Sequence, residues 1–116
     1  EDVAARLNRE WQRTPVRVHA LADYYRVTET KYPAQLKQRG YPQAEIGTHA
    51  GLADTALALA VDKSLVRSGT LARTTPDKEG VHGDPRRATA ELGQLGVGAI
   101  VETSVAEIQR LAREKR

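Results

Sequence analysis

The chain has 116 residues, enough for one compact domain or a piece of a larger one. Apolar residues make up 40% and charged residues 28%, an ordinary balance for a globular chain, and no apolar run approaches the roughly 20 residues that span a bilayer. Cysteine is absent, which excludes a disulfide scaffold, thiolate catalysis and a Cys-ligated zinc site. The net charge of +3 is spread along the chain instead of forming one basic face, so nucleic acid is not an expected partner, nor is a membrane. The cytoplasm is the default compartment.

The chain contains no Met and no Phe, has a single Trp, and begins at Glu1. Large rings dominate core burial, and here they are scarce. Both facts point to part of a larger folding unit.

Residues 1–13 predict an amphipathic helix, with Val3, Leu7 and Trp11 at helical spacing and Thr14-Pro15 as its stop. No cap precedes it, as in a helix cut from a longer chain. Residues 16–21 alternate at first and predict a short strand. Helix, turn and strand together suggest half of a layered α/β unit. Residues 22–27 read as a loop carrying aromatic contacts; Tyr24, Tyr25 and Tyr32 are expected to pack more than to line a pocket. Residues 32–39 predict a helix, with Pro33 near its first turn and Gly40 as its stop.

Residues 40–51 are rich in turn formers, and a further helix is expected from Leu52 to Val61. Residues 62–84 read as a long irregular loop of the kind that covers a cleft or meets a partner. Asp84-Pro85 predicts a helix start, and the pattern is helical from there to Arg116. Gly93, Gly96 and Gly98 inside that helix each cost about 1 kcal/mol against Ala, which implies a close backbone neighbour or a break. The cationic tail, Arg110, Arg113, Lys115 and Arg116, suits a solvated helix C-terminus.

One stretch carries chemistry. Gly47-Thr48-His49-Ala50-Gly51 sets a His in a glycine-flanked loop, and Asp54 falls in the first turn of the following helix. Glycines let a backbone approach a ligand closely, helix-terminal amides favour an anion, and a carboxylate near an imidazole can orient it or a bound water. Surface decoration for His49 and a dipole contact for Asp54 are the plainer alternatives. The three histidines, His19, His49 and His82, show no metal-ligand spacing, so no metal ligand is assigned within this chain.

Residues 47–67, GTHAGLADTALALAVDKSLVR, resemble a segment of the creatininase (creatinine amidohydrolase) family: a His-Ala-Gly block, an acidic residue followed by Thr, an apolar helix, and a Leu-Val exit. Gly80-Val81-His82-Gly83-Asp84-Pro85 and Ala88-Thr89-Ala90-Glu91-Leu92-Gly93 resemble the family's closing segments. The resemblance covers nearly the whole chain. It implies an α/β fold, here the C-terminal part of a three-layer α/β/α arrangement, mostly helical with one or two strands. It also implies a metal-dependent amidohydrolase that cleaves a cyclic or linear amide C–N bond with metal-activated water. By position, His49 and Asp54 are then the catalytic candidates, and Gly47, Thr48, Ala50 and Gly51 the substrate-binding ones. The divalent ions (zinc, manganese or iron) are expected on ligands of an N-terminal half, in Glu-x-His-Gly and Gly-His motifs that this chain lacks. Residues 1–116 therefore read as a single segment completed by a second chain or half, in a homo- or hetero-oligomer acting on a small amide. The family usually has Glu where Asp54 stands and often Glu where Thr48 stands. A non-catalytic assembly subunit with a decayed site is the alternative, and a small basic helical domain the blandest one.

Overall fold

The computed structural model describes residues 2–114; Glu1, Lys115 and Arg116 lie outside them. The chain is mostly helical: α1 Asp2–Glu10, α2 Asp23–Glu29, α3 Lys31–Gln38, α4 Gln43–Ile46, α5 Leu52–Val61, α6 Ser68–Leu71 and α7 Ala90–Arg113. Short 3-10 turns occupy Lys63–Leu65 and Pro85–Arg87.

Helix α7 is the spine. It packs along α5 over the most extensive contact in the molecule and also crosses α2 and α3. The core lies where these meet: Tyr32 and Leu36 of α3, Ile46 of α4, and Leu52 and Ala53 of α5, with Leu57, Leu92 and Leu95 around them. Tyr32 is fully buried, and its hydroxyl donates to the Ala53 carbonyl at 3.2 Å. Burial pushes the Tyr32 phenol up, and the Asp54 carboxylate adds to the shift.

Small residues let α5 and α7 touch. A Cβ on Gly93 would stand 1.9 Å from the Ala56 carbonyl oxygen, and one on Gly96 would stand 3.0 Å from the Tyr32 ring. Gly98, by contrast, faces open space. Close approach, and not a break, explains two of the three helical glycines.

Several expectations change. No strand forms among the described residues; residues 16–21 run without regular structure. A strand needs a neighbour, and Val18 takes a side chain as its partner instead: Asn8 Nδ2 donates to the Val18 carbonyl and Asn8 Oδ1 accepts from the Val18 amide, both at 2.8 Å. The side-chain amide supplies the donor and acceptor that a strand would. The three-layer α/β/α arrangement is thus not displayed by these residues. The segment read as an aromatic loop is helix α2 instead, with Tyr24 and Tyr25 exposed. Helix α1 ends at Glu10, and none of its residues is buried; Val3 and Trp11 stay exposed.

The long helix also starts later than Asp84-Pro85 suggests. Asp84 caps only the Pro85–Arg87 turn, accepting from the Arg86 amide, and Ala88 is extended. Pro85 is buried, and the Arg87 guanidinium reaches Glu45 of α4, so this turn is pinned to the loop region before the chain re-enters a helix. Thr89 is the N-cap of α7, its hydroxyl accepting from the Leu92 amide. Residues 62–84 hold a 3-10 turn and α6 and are less irregular than expected. At the far end, Arg110 pairs with Glu107 and Glu114.

Gly93→Ala should lower stability by about 1–3 kcal/mol, because the added methyl forces α5 and α7 apart. Gly98→Ala should be neutral or raise stability by up to about 1 kcal/mol, through helix propensity alone. Urea unfolding of the two variants checks this; equal effects would contradict the close packing of α5 on α7.

Candidate functional site

Two loops meet at the site. The first runs from Gly47 to Gly51, between α4 and α5; the second, residues 77–84, precedes the Pro85 turn. They join through an isolated antiparallel bridge between His49 and His82. The His82 amide donates to the His49 carbonyl at 2.8 Å, the His49 amide returns a bond to the His82 carbonyl at 3.3 Å, and Thr48 N donates to the same oxygen at 2.8 Å.

Glycine makes this junction possible. Gly47 has φ 73°, and a Cβ there would sit 2.1 Å from the His82 carbonyl oxygen. Gly83 has φ 137°, and its Cβ would sit 2.7 Å from Gly47 Cα. Either substitution meets backbone, which cannot move aside as a flexible side chain can. Gly51 completes the packing: its own Cβ would fall 2.6 Å from the Ile46 carbonyl oxygen. The sequence suggests that Gly47 and Gly51 let backbone approach a ligand; in the fold they and Gly83 bring the two loops onto each other.

Carboxylates fasten both loops. Asp54 Oδ2 accepts from the Ala50 amide at 2.9 Å and holds that residue at φ 51°. In the second loop, Asp77 Oδ1 accepts from Gly83 N at 2.9 Å, and the Asp84 amide donates to the Glu45 carbonyl at 3.0 Å. Glu45 in turn carries Arg87, whose guanidinium lies 4.6 Å over the Tyr41 ring.

A cleft of about 600 Å³ opens beside this junction. Its walls come from α2 and α3 on one side (Tyr25, Thr28, Lys37) and from Thr48, His49 and Asp54 on the other. Of the residues singled out in the sequence, Gly47, Thr48, His49 and Asp54 share this cleft. Ala50 lines a second, shallower depression with Thr55 and Arg67, and Gly51 is buried under the loop. Asp54 acts on the backbone of the His49 loop. Sequence reasoning missed the pairing of His82 with His49 and the contribution of Tyr25, Thr28 and Lys37. The signal for the first was present: both histidines stand within two residues of a glycine, Gly47 and Gly83.

The cleft and its loops lie within a region recognised at the family level. The family model for creatininase (creatinine amidohydrolase) matches residues 1–108, nearly the whole chain, so the chain belongs to the creatininase family. Searches of the curated proteins and of the solved structures return no match.

The second loop titrates. Hydrogen bonding to Arg86 holds the Asp84 carboxyl below its ordinary value of 3.8, against a smaller opposing effect of burial. A depressed folded-state pKa stabilises the fold above the unfolded value and loses that stabilisation as pH falls through the folded one. Asp84→Asn should therefore shrink the loss of stability between about pH 5 and pH 2. Unfolding by urea across this range checks it; an undiminished acid loss in the variant would contradict the assignment.

Proposed function

We propose that this creatininase-family chain serves amide hydrolysis, supplying the His49 loop and one wall of the substrate cleft to a metal-dependent amidohydrolase. Family membership supports hydrolase chemistry on C–N bonds of the amidohydrolase type. The observation that carries the residue assignment is the cleft itself, lined by an exposed imidazole and a hydroxyl on a glycine-locked loop and by a carboxylate in the first turn of α5.

His49 is the residue proposed to touch substrate. Its imidazole lies at the cleft wall, where a small cyclic or linear amide fits, and a neutral imidazole can take a proton from an attacking water or return one to the leaving nitrogen. Asp54 is a positioning residue: its bond to the Ala50 amide holds the turn that aims His49. Thr48 and Gly47 border the same cleft, and Tyr25 and Lys37 face them from α2 and α3.

Creatininase-family enzymes are in general metal-dependent. Among the described residues no group of three or more His, Asp or Glu side chains could hold an ion, and the Asp54 carboxylate is already engaged by a backbone amide. These residues do not fit a hydrolytic metal centre, and the roles assigned to them involve no ion. The zinc, manganese or iron is assigned instead to a further polypeptide segment, which also completes the three-layer α/β/α fold. An outward-facing apolar groove of about 380 Å³ along α5 and α7, including Val61, Leu65, Val97 and Val101, supports such a completion.

The test is hydrolysis of creatinine and other small amides by the chain reconstituted with a metal-bearing half of the family. His49→Ala should lower kcat by about 10²–10⁴-fold while urea stability stays within about 0.5 kcal/mol, as for an exposed side chain. Full activity in His49→Ala would remove the assignment.

A further inference from the structure

The bridge sets a second imidazole beside His49. Residues that exchange both backbone hydrogen bonds across an antiparallel pair send their side chains to the same face, with Cβ atoms roughly 5 Å apart. His49 and His82 are paired in this way. Their ring centres stand 6.5 Å apart with the planes tilted by 53°, and both side chains are exposed. The backbone under them cannot spread without breaking the packing of Gly47 on His82 and of Gly83 on Gly47.

We propose that His49 and His82 form a two-imidazole site for a borderline transition-metal ion of the zinc type. The site is separate from the ions of the hydrolytic centre, and only its effect on activity rests on the hydrolase reading. Zinc binds imidazole nitrogen at about 2.0–2.1 Å, which puts each ring centre roughly 3.2 Å from the ion and a tetrahedral pair of rings roughly 5 Å apart. The observed 6.5 Å closes to that value by a small inward turn of two exposed side chains, with no movement of the bridge. Two protein donors leave the remaining positions to water, so the site is open and exchangeable, unlike a structural zinc site with four protein ligands. An ion bound here occupies the lone pair that His49 needs for proton transfer, so a zinc excess acts as an inhibitor.

The test is calorimetric titration of the full chain with ZnCl2, followed in parallel by NMR of the histidine rings. Zinc should bind saturably and shift the His49 and His82 rings together, leaving His19 in place; His19 lies in a separate depression with Pro15 and Leu111. Magnesium, which prefers oxygen ligands, should not compete. His49→Ala and His82→Ala should each weaken zinc binding by about tenfold or more, since each deletes one of two protein ligands, while His19→Ala should not. Absence of saturable zinc binding, or binding that survives both substitutions, would overturn the site. If either variant fails to fold, the ring shifts in the unmodified chain decide the matter: joint movement of His49 and His82 supports the site, and its absence overturns it. Zinc binding intact in a His49→Ala variant that has lost hydrolysis would defeat this site and leave the hydrolase reading standing. Hydrolysis intact in a His49→Ala variant that has lost zinc would do the opposite.

Discussion

Among the described residues backbone meets backbone without side chains between at two places, and both depend on glycine. At the first, Gly93 of α7 rests on the Ala56 carbonyl of α5, leaving no space for a methyl group. At the second, Gly47, Gly51 and Gly83 bring the two histidine loops into contact. The first contact sets the depth of the core and lets a chain without Phe enclose Tyr32. The second fixes the angle at which His49 enters the cleft. Dispersion and hydrogen bonding replace bulky side chains at these points, and that close packing leaves little freedom for the site to drift.

The site inherits its shape from that arrangement. Asp54 and Asp77 each accept from a loop amide, Asp84 grips Arg86, and Glu45 grips Arg87. The Asp54 and Glu45 bonds tie the loops to α5 and α4, the Asp77 and Asp84 bonds brace the second loop itself, and the cleft forms between the loops and α2–α3. His49 is presented from a stapled turn, which suits a group that must meet a substrate in one orientation. The same stapling brings His82 opposite and gives the surface a pair of imidazoles where the sequence shows two separate ones.

Much of this was legible in the chain itself. The helix over Leu52–Val61 falls where the apolar run and the flanking glycine place it, and α3 follows Pro33 and Gly40 within a residue. The cost of Gly93, Gly96 and Gly98 in a helix points to a close neighbour or a break, and the fold selects the close neighbour at the first two. Three features were not legible, each because a partner distant in sequence decides it. Residues 16–21 have the alternation of a strand, but Asn8 supplies the pairing in place of a second strand. Residues 22–27 look like a loop because their aromatic residues hide a one-sided helix, α2, that packs on α7 and buries Val27. Asp84-Pro85 carries a good capping signal, yet the buried Pro85 and the Arg87–Glu45 pair commit it to a separate turn, and Thr89 caps the helix instead. In the candidate site, His49 and Asp54 stood out at once, whereas His82 required knowing that residue 82 returns to residue 49.

Backbone locks the His49 loop to the His82 loop, and hydrogen exchange reads that lock directly. The amides of Thr48, His49 and His82 should exchange with protection close to that of the α5–α7 core, because opening them requires the glycine packing to part. Exchange of these amides at the rate of an exposed loop, with α5 and α7 still protected, would contradict the lock and with it the fixed presentation of His49.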